Sequence, residues 1–239
     1  MANDAPSPQA SESEAAAERP MLWFLLATLV VLQFGYPITF QGRGWTTVYL
    51  LVYIGVVAFS IRSANRNRRR RWPLFAASLV LVVTASWFAV RQDDAQATAA
   101  MLAGVGLLQL TLVVTLVASL VHPPERARTV DLLLLAVCAY LLLGGVFGAL
   151  SGLLEHASPG SFIDPNAAAG TLTWQGLLYG SYVTLATLGF GDIVPVAPWA
   201  RSLWSFEAVL GTLFVAVVIA RLVGVAGFAA RDTRDRPAS

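Results

Sequence analysis

Charge is scarce in this sequence. Only 13% of its 239 residues are charged, whereas soluble domains carry roughly 25% charged residues, and the mean hydropathy is +0.65. The apolar residues gather in several runs of about 20 residues, the length a helix needs to cross the hydrocarbon core of a bilayer. A soluble domain is therefore excluded, and the sequence predicts an all-α integral membrane protein.

Cysteine, lysine and catalytic motifs are also rare or absent. The single cysteine, Cys138, lies inside an apolar run, which excludes a disulfide within the chain and a cysteine metal cluster. No nucleotide-binding fingerprint, metal cluster or catalytic constellation is present, so we predict neither an enzyme nor a cofactor. The net charge of +2 comes from arginines in short loops, which does not favour a nucleic-acid partner. The absence of lysine and the abundance of alanine and arginine suggest a bacterial protein.

Six apolar segments predict six transmembrane helices. They cover about residues 21–40, 45–61, 72–90, 98–121, 130–154 and 198–228. Gly35 and Pro37 are expected to bend the first helix or end it early. Residues 1–20, which are acidic and rich in Ala, Ser and Pro, predict a disordered N-terminal tail, and residues 229–239 a short C-terminal tail.

Arginines set the predicted topology. Six of them lie between Arg62 and Arg71, and the positive-inside rule places this short loop in the cytoplasm. Both termini are then cytoplasmic, in what would be a bacterial inner membrane. A further possibility is contact with anionic lipid headgroups, worth about 1 kcal/mol per arginine, although the topology rule alone accounts for the cluster. The arginines concerned are Arg66, Arg68, Arg69, Arg70 and Arg71.

A seventh apolar stretch, residues 173–186, is too short to cross the bilayer and predicts a re-entrant helix. Thr173 is expected to cap its start, and its C-terminal end carries a partial negative charge that favours a cation near the membrane centre. The helix leads into Thr187-Leu-Gly-Phe-Gly-Asp192. The two glycines of that stretch permit an extended backbone whose carbonyls can replace the hydration shell of an ion.

This stretch resembles the signature of the potassium-channel family, whose common form is Thr-Val-Gly-Tyr-Gly-Asp. The resemblance covers about residues 130–228 and implies that four backbone carbonyls, with the Thr187 hydroxyl, bind potassium ions. The carbonyls concerned are those of Thr187, Leu188, Gly189 and Phe190. Gly191 and Asp192 would close the outer mouth, and the phenylalanine at position 190 lacks the hydroxyl of the common tyrosine.

The resemblance extends to the neighbouring helices. Thr184 matches a pore-helix threonine that supports the filter, and Gly211 falls where the inner helix of the family has a hinge glycine. Close helix packing is the alternative role for Gly211. The implied assembly is a homotetramer, and the residues expected to line its central cavity are Thr212, Val215, Ile219 and Val223.

Two features qualify this interpretation. Glu207 is the one acid well inside a predicted span. Intramembrane acids are usually functional, but we favour a structural role in which Glu207 hydrogen-bonds the pore helix, the re-entrant helix over residues 173–186.

The fourth segment contains no Arg or Lys, whereas a voltage sensor needs about three or four gating charges per subunit. Residues 21–129 are therefore predicted to form a four-helix peripheral domain that does not sense voltage, beside a pore domain over 130–228. Arg221 is expected to extend to the cytoplasmic interface.

Two other functions remain open at this point. The same pore could belong to a less selective cation channel, or the chain could be a channel-like sensor or accessory subunit that does not conduct.

Overall fold

The fold is described by a computed structural model over residues 22–63, 68–122, 129–165 and 172–232. Helices dominate it, and one small antiparallel sheet joins its two short strands. The elements are α1 (Leu22–Phe34), a 3-10 helix (Tyr36–Gln41), α2 (Arg43–Ser63), α3 (Arg68–Val90), α4 (Ala95–Val121), α5 (Thr129–Ala157), β1 (Phe162–Ile163), α6 (Trp174–Leu185), β2 (Val194–Pro195) and α7 (Pro198–Asp232).

The helix lengths and compositions are those of a membrane protein. Among the described residues, four helical stretches are long and apolar enough to cross a bilayer: Trp72–Val90, Ala95–Val121, Thr129–Ala157 and Pro198–Arg221. The helix α1 is shorter, because the chain turns at Gly35 into the 3-10 helix that contains Pro37. The count of six spans therefore stays a prediction.

Two predicted boundaries differ from the structure. The arginine loop is shorter than expected, since α2 continues to Ser63 and α3 begins at Arg68; Arg66 lies outside the described residues. The C-terminal tail begins later than residue 229, because α7 continues to Asp232. Arginine is a good helix former, which explains why the charged stretch does not interrupt α3. The predicted N-terminal tail, residues 1–20, also lies outside the described residues.

Glycines on α5 let two helices approach it closely from different sides. A Cβ atom on Gly144 would come within 2.4 Å of the Tyr182 ring of α6, and one on Gly145 within 2.1 Å of the Gln109 amide of α4. Gly148 and Gly152 make the same kind of contact one and two turns later, against Leu178 of α6 and Leu102 of α4 respectively. Small residues at such spacing allow close helix packing in membranes. Consequently α5 lies between the peripheral helix α4 and the short helix α6.

The end of α1 and the 3-10 helix that follows it also contact α6. Gln175 donates a hydrogen bond from Nε2 to the Thr39 hydroxyl at 3.0 Å, and the rings of Phe34 and Tyr182 lie 5.0 Å apart. Both contacts join residues more than a hundred positions apart in the sequence. The end of α1 and the 3-10 helix therefore contact the α6 helix of their own chain.

Candidate ion-conduction site

The helix α6 is short and is fixed by its neighbours. Its N-cap is Thr173, whose side chain accepts a hydrogen bond from the Gly176 amide, as predicted. Gly180 leaves room for Trp204 of α7, since a Cβ there would come within 2.7 Å of the indole. The indole nitrogen of Trp204 in turn donates to the Ser151 hydroxyl of α5 at 3.0 Å. These contacts thus fix the positions of the three helices α5, α6 and α7 relative to one another.

The backbone after α6 bonds back to that helix. The amides of Thr187 and Leu188 donate to the carbonyls of Thr184 and Val183, both at 2.9 Å, and the Gly189 amide donates to Val183 at 3.4 Å. In the described part of the chain, the carbonyls of residues 187–190 accept no hydrogen bond. The amides of residues 187–189 are therefore bonded to α6, while the carbonyls of residues 187–190 are left available to another group.

The sign of φ alternates along the same segment. It is positive at Thr187 (57°), Gly189 (58°) and Gly191 (75°), and Thr187 is the one non-glycine residue with positive φ in the described ranges. Backbones that alternate between the two helical regions align successive amides on one side, which leaves the carbonyls on the other. A left-handed threonine costs free energy and tends to persist only where the surroundings impose it, typically at functional sites.

This segment and the inner helix have little cover from their own chain. The side chains of Leu188 and Phe190 are 59% and 65% exposed. Only 17% of the apolar window of α7 is buried, compared with 72% for α5. Irregular backbone at membrane depth is stable only where protein buries it or where it lines a water-filled path. In the single chain, this segment and the adjoining face of α7 are therefore left uncovered.

The segment that follows, residues 192–196, is anchored by its own hydrogen bonds and by the loop after α5. The β1–β2 pair aligns Phe162 with Pro195, and the Val196 amide donates to the Ser161 carbonyl at 2.8 Å. Asp192 accepts from the amide of Ile193 at 3.0 Å and from the Tyr179 hydroxyl. These contacts hold residues 192–196 against the loop that follows α5.

One acid with a role at this end was not predicted from the sequence. Glu155 accepts hydrogen bonds from the amides of Gly160, at 2.7 Å, and Phe162, at 3.0 Å. Its position at the end of α5, just before a Ser-Pro-Gly turn, is the only hint in the sequence. The carboxylate organises the loop that supplies β1.

Glu207 lies where the sequence predicted, behind α6. Its side chain is completely buried, and Oε1 lies 2.5 Å from the Ser181 hydroxyl of α6. The last carbonyl of α6, that of Leu185, accepts from the Tyr140 hydroxyl of α5 at 3.1 Å. Side chains of α5 and α7 therefore fix the C-terminal half of α6.

Gly211 packs directly against the end of α6. The residue is buried, and a Cβ on it would come within 2.5 Å of the Leu185 carbonyl oxygen. The helix α7 runs through this position without interruption. The structure thus contains the contact that the packing role requires, while the hinge role stays a prediction.

The predicted cavity residues lie on the uncovered face of α7. Thr212, Val215 and Ile219 are exposed in the single chain; the side chain of Val223 lies outside the described residues. Their role as a pore lining stays a prediction. Arg221 donates from Nη2 to the Val121 carbonyl at 3.1 Å, at the end of α4, and its extension to the cytoplasmic interface stays a prediction. The C-terminal end of α4 carries a partial negative charge that favours this contact.

Comparisons with known proteins agree with this geometry. A family model described as "Ion channel" matches residues 135–226. The inward rectifier potassium channel Kirbac3.1 of Paramagnetospirillum magnetotacticum is 33% identical over 82 residues, which are 33% of this chain and 24% of that protein. The match thus spans about a quarter of the length of this relative. No solved structure matches the chain. The family match supports an ion-channel domain over residues 135–226, and part of the chain is similar to part of a potassium channel.

Proposed function

We propose that this chain forms a homotetrameric potassium-selective channel in which ions pass along the carbonyls of Thr187, Leu188, Gly189 and Phe190. Gly191 and Asp192 form the outer mouth of this filter. The observation that carries the proposal is the backbone of the segment, with the amides of residues 187–189 bonded to α6 and the carbonyls of residues 187–190 unpaired. Such carbonyls can compensate an ion for the hydration that it loses.

The exposure of the same parts supports the proposed tetramer. One chain offers only one set of carbonyls, and a closed cage around an ion needs several copies around an axis. The exposed apolar face of α7 supplies the contact surface for those copies. Thr212, Val215, Ile219 and Val223 then line the central cavity, and Thr184 supports the filter from the end of α6.

Potassium is the proposed ion on two grounds. The filter sequence resembles that of potassium channels, and the relative that matches is itself called a potassium channel. A filter with the same backbone but weaker discrimination would pass several monovalent cations instead. Ion flux distinguishes the two cases.

The proposed channel does not open by moving charge in α4. No Arg or Lys occurs between Ala95 and Val121, so the membrane potential has no gating charge to act on in this helix. The helices α1–α4 are proposed to form a peripheral domain beside the pore that has a structural role only. Both termini would be cytoplasmic, and Arg66, Arg68, Arg69, Arg70 and Arg71 would lie near anionic lipid headgroups.

Reconstitution of the purified protein into liposomes tests the proposal. Subunit number is first determined by chemical crosslinking, and potassium and sodium fluxes are then measured on the same preparation. Potassium flux well above sodium flux supports the proposal. Equal fluxes indicate a less selective cation channel, and a tetramer without flux indicates a channel-like accessory subunit.

A further inference from the structure

A short polar chain crosses three helices behind the proposed filter. Glu207 of α7 and Ser181 of α6 are both fully buried, and Oε1 of Glu207 lies 2.5 Å from the Ser181 hydroxyl oxygen. That hydroxyl oxygen also lies 2.7 Å from the Gly144 carbonyl oxygen of α5. The Ser181 hydroxyl oxygen therefore lies within hydrogen-bonding distance of two oxygen atoms, one on α7 and one on α5.

The number of hydrogens determines how these contacts are made. A serine hydroxyl has one hydrogen to donate, and a backbone carbonyl can only accept. If Ser181 donates to the Gly144 carbonyl, the hydrogen in its contact with Glu207 must come from the carboxyl group. Both contacts are then hydrogen bonds. An ionised Glu207 leaves one of the two contacts without a hydrogen.

The surroundings of Glu207 disfavour the ionised form. Its other oxygen, Oε2, has no hydrogen-bond partner among the described residues, and no arginine or histidine of those residues forms an ion pair with it. A buried carboxylate needs a cation or several donors, and without them its burial costs several kcal/mol. The charge would also lie at membrane depth, where ionised acids are especially unfavourable.

The titratable groups on the neighbouring helices do not supply the missing donors. Tyr140 of α5 and Tyr182 of α6 interact with Glu207 electrostatically. Their hydroxyls already donate to backbone carbonyls, that of Tyr140 to Leu185 at 3.1 Å and that of Tyr182 to Leu141 at 2.6 Å. Neither tyrosine carries a positive charge. Both therefore leave Glu207 without a group that would stabilise its anion.

We propose that Glu207 is a neutral carboxylic acid at neutral pH, which donates to Ser181 while Ser181 donates to the Gly144 carbonyl. In this form it is a positioning residue, since its hydrogen bond is to Ser181 of α6 and it acts by holding α7, α6 and α5 together through that serine. The effect of Glu207 on conduction rests on the channel function proposed above. The protonation state of Glu207 is independent of that function.

Infrared spectroscopy of the full chain in lipid membranes tests the protonation state directly. At about pH 7 exposed acids are ionised, so the carbonyl stretch of a protonated carboxyl reports a buried acid. We expect this band in the wild type, a shift of the band when glutamate is isotopically labelled, and its loss in Glu207→Gln. A wild type without a labelled protonated band overturns the proposal, whether or not any variant folds.

Two variants test the positioning role. Glu207→Gln replaces a neutral acid by a neutral amide that can still donate to Ser181, so the variant should keep potassium flux within about twofold of the wild type. Glu207→Met fills similar space without a donor and should lower both the flux and the midpoint temperature of unfolding. If Gln impairs the protein as much as Met does, an ionised Glu207 is the better interpretation and the proposal fails.

The outcomes separate this proposal from the channel function. A protonated band in a protein that passes no potassium refutes the channel proposal and leaves the protonation state supported. Potassium flux in a protein that lacks the band refutes the protonation state alone.

Discussion

The ring of Tyr182 lies directly on the backbone of Gly144, where a Cβ atom would come within 2.4 Å of it. The Tyr182 hydroxyl donates to the Leu141 carbonyl at 2.6 Å, on the preceding turn of α5. The glycine and the hydrogen bond together fix the distance between α5 and α6. Because α6 holds the proposed filter, this packing sets the filter's position relative to the rest of the chain.

Gly144→Ala should therefore destabilise the protein. The tyrosine ring is rigid and held at its hydroxyl, so α5 and α6 must separate, at a cost of about 1–3 kcal/mol. Denaturant unfolding in detergent measures the effect. Gly55→Ala is the control, since a Cβ there meets no described atom within 4 Å from outside its own turn of α2; alanine should be neutral or slightly stabilising at that helical position. Equal stability of the two variants would contradict the packing described.

Gly189→Ala should abolish selective potassium flux. Its φ of 58° is a conformation that a side chain disfavours, by roughly 1–2 kcal/mol per residue, and a changed backbone would turn the neighbouring carbonyls. Gly160→Ala is the matched control, because Gly160 has a φ of 84° and equally open surroundings but lies outside the filter. Liposome flux assays compare the two. Loss of flux in both would point to a general folding defect instead.

Gly211→Ala separates the two roles of that glycine. A Cβ would lie 2.5 Å from the Leu185 carbonyl oxygen, so the packing role predicts a loss of about 1–3 kcal/mol in the free energy of unfolding. We expect that loss. A hinge without a packing role predicts unchanged stability and an altered open probability in single-channel recordings, a result that would contradict our expectation.

Ser151→Ala should destabilise the pore domain. It removes the acceptor of the Trp204 indole hydrogen bond, which spans 3.0 Å between α5 and α7, and leaves a buried donor unpaired at a cost of about 1–3 kcal/mol. Thermal unfolding followed by tryptophan fluorescence measures the change. Ser202→Ala removes an exposed hydroxyl on α7 and should have little effect. Similar losses in both variants would show that the indole contact contributes nothing specific.

The conductance of the proposed channel should depend only weakly on voltage. One elementary charge that crosses the membrane gains about 2.3 kcal/mol per 100 mV, and α4 holds no Arg or Lys that could move. Planar bilayer recordings over a wide voltage range give the slope. A steep curve that requires several elementary charges per channel would rule out the passive role assigned to the helices α1–α4.

Local patterns predicted much of the fold. The apolar runs ended within a few residues of the observed ends of α3, α4 and α5, because helix ends follow from breakers, caps and polar residues that are visible in the sequence. Thr173 as the cap of α6 is an example. Glu207 was placed behind α6 because an acid inside an apolar run needs a polar neighbour.

Contacts between distant parts of the chain could not be predicted in this way. The Gln175–Thr39 hydrogen bond joins side chains that are ordinary in their own surroundings. The contact between Arg221 and the Val121 carbonyl joins residues 100 positions apart. In the sequence, the glycines of α5 are simply small residues in an apolar run. Only the packed helices show which of these glycines faces α4 and which faces α6.

The sequence by itself determined the membrane class, the helices and the resemblance of residues 187–192 to a filter, because hydropathy, caps and backbone freedom act over a few residues. Only the tertiary structure decided that α4 and α6 lie against α5, that the amides of residues 187–189 bond back to α6, and that Glu207 meets Ser181. These contacts join residues that are far apart in the sequence, and the hydrogen-bond partners of buried groups are determined only when the helices pack together.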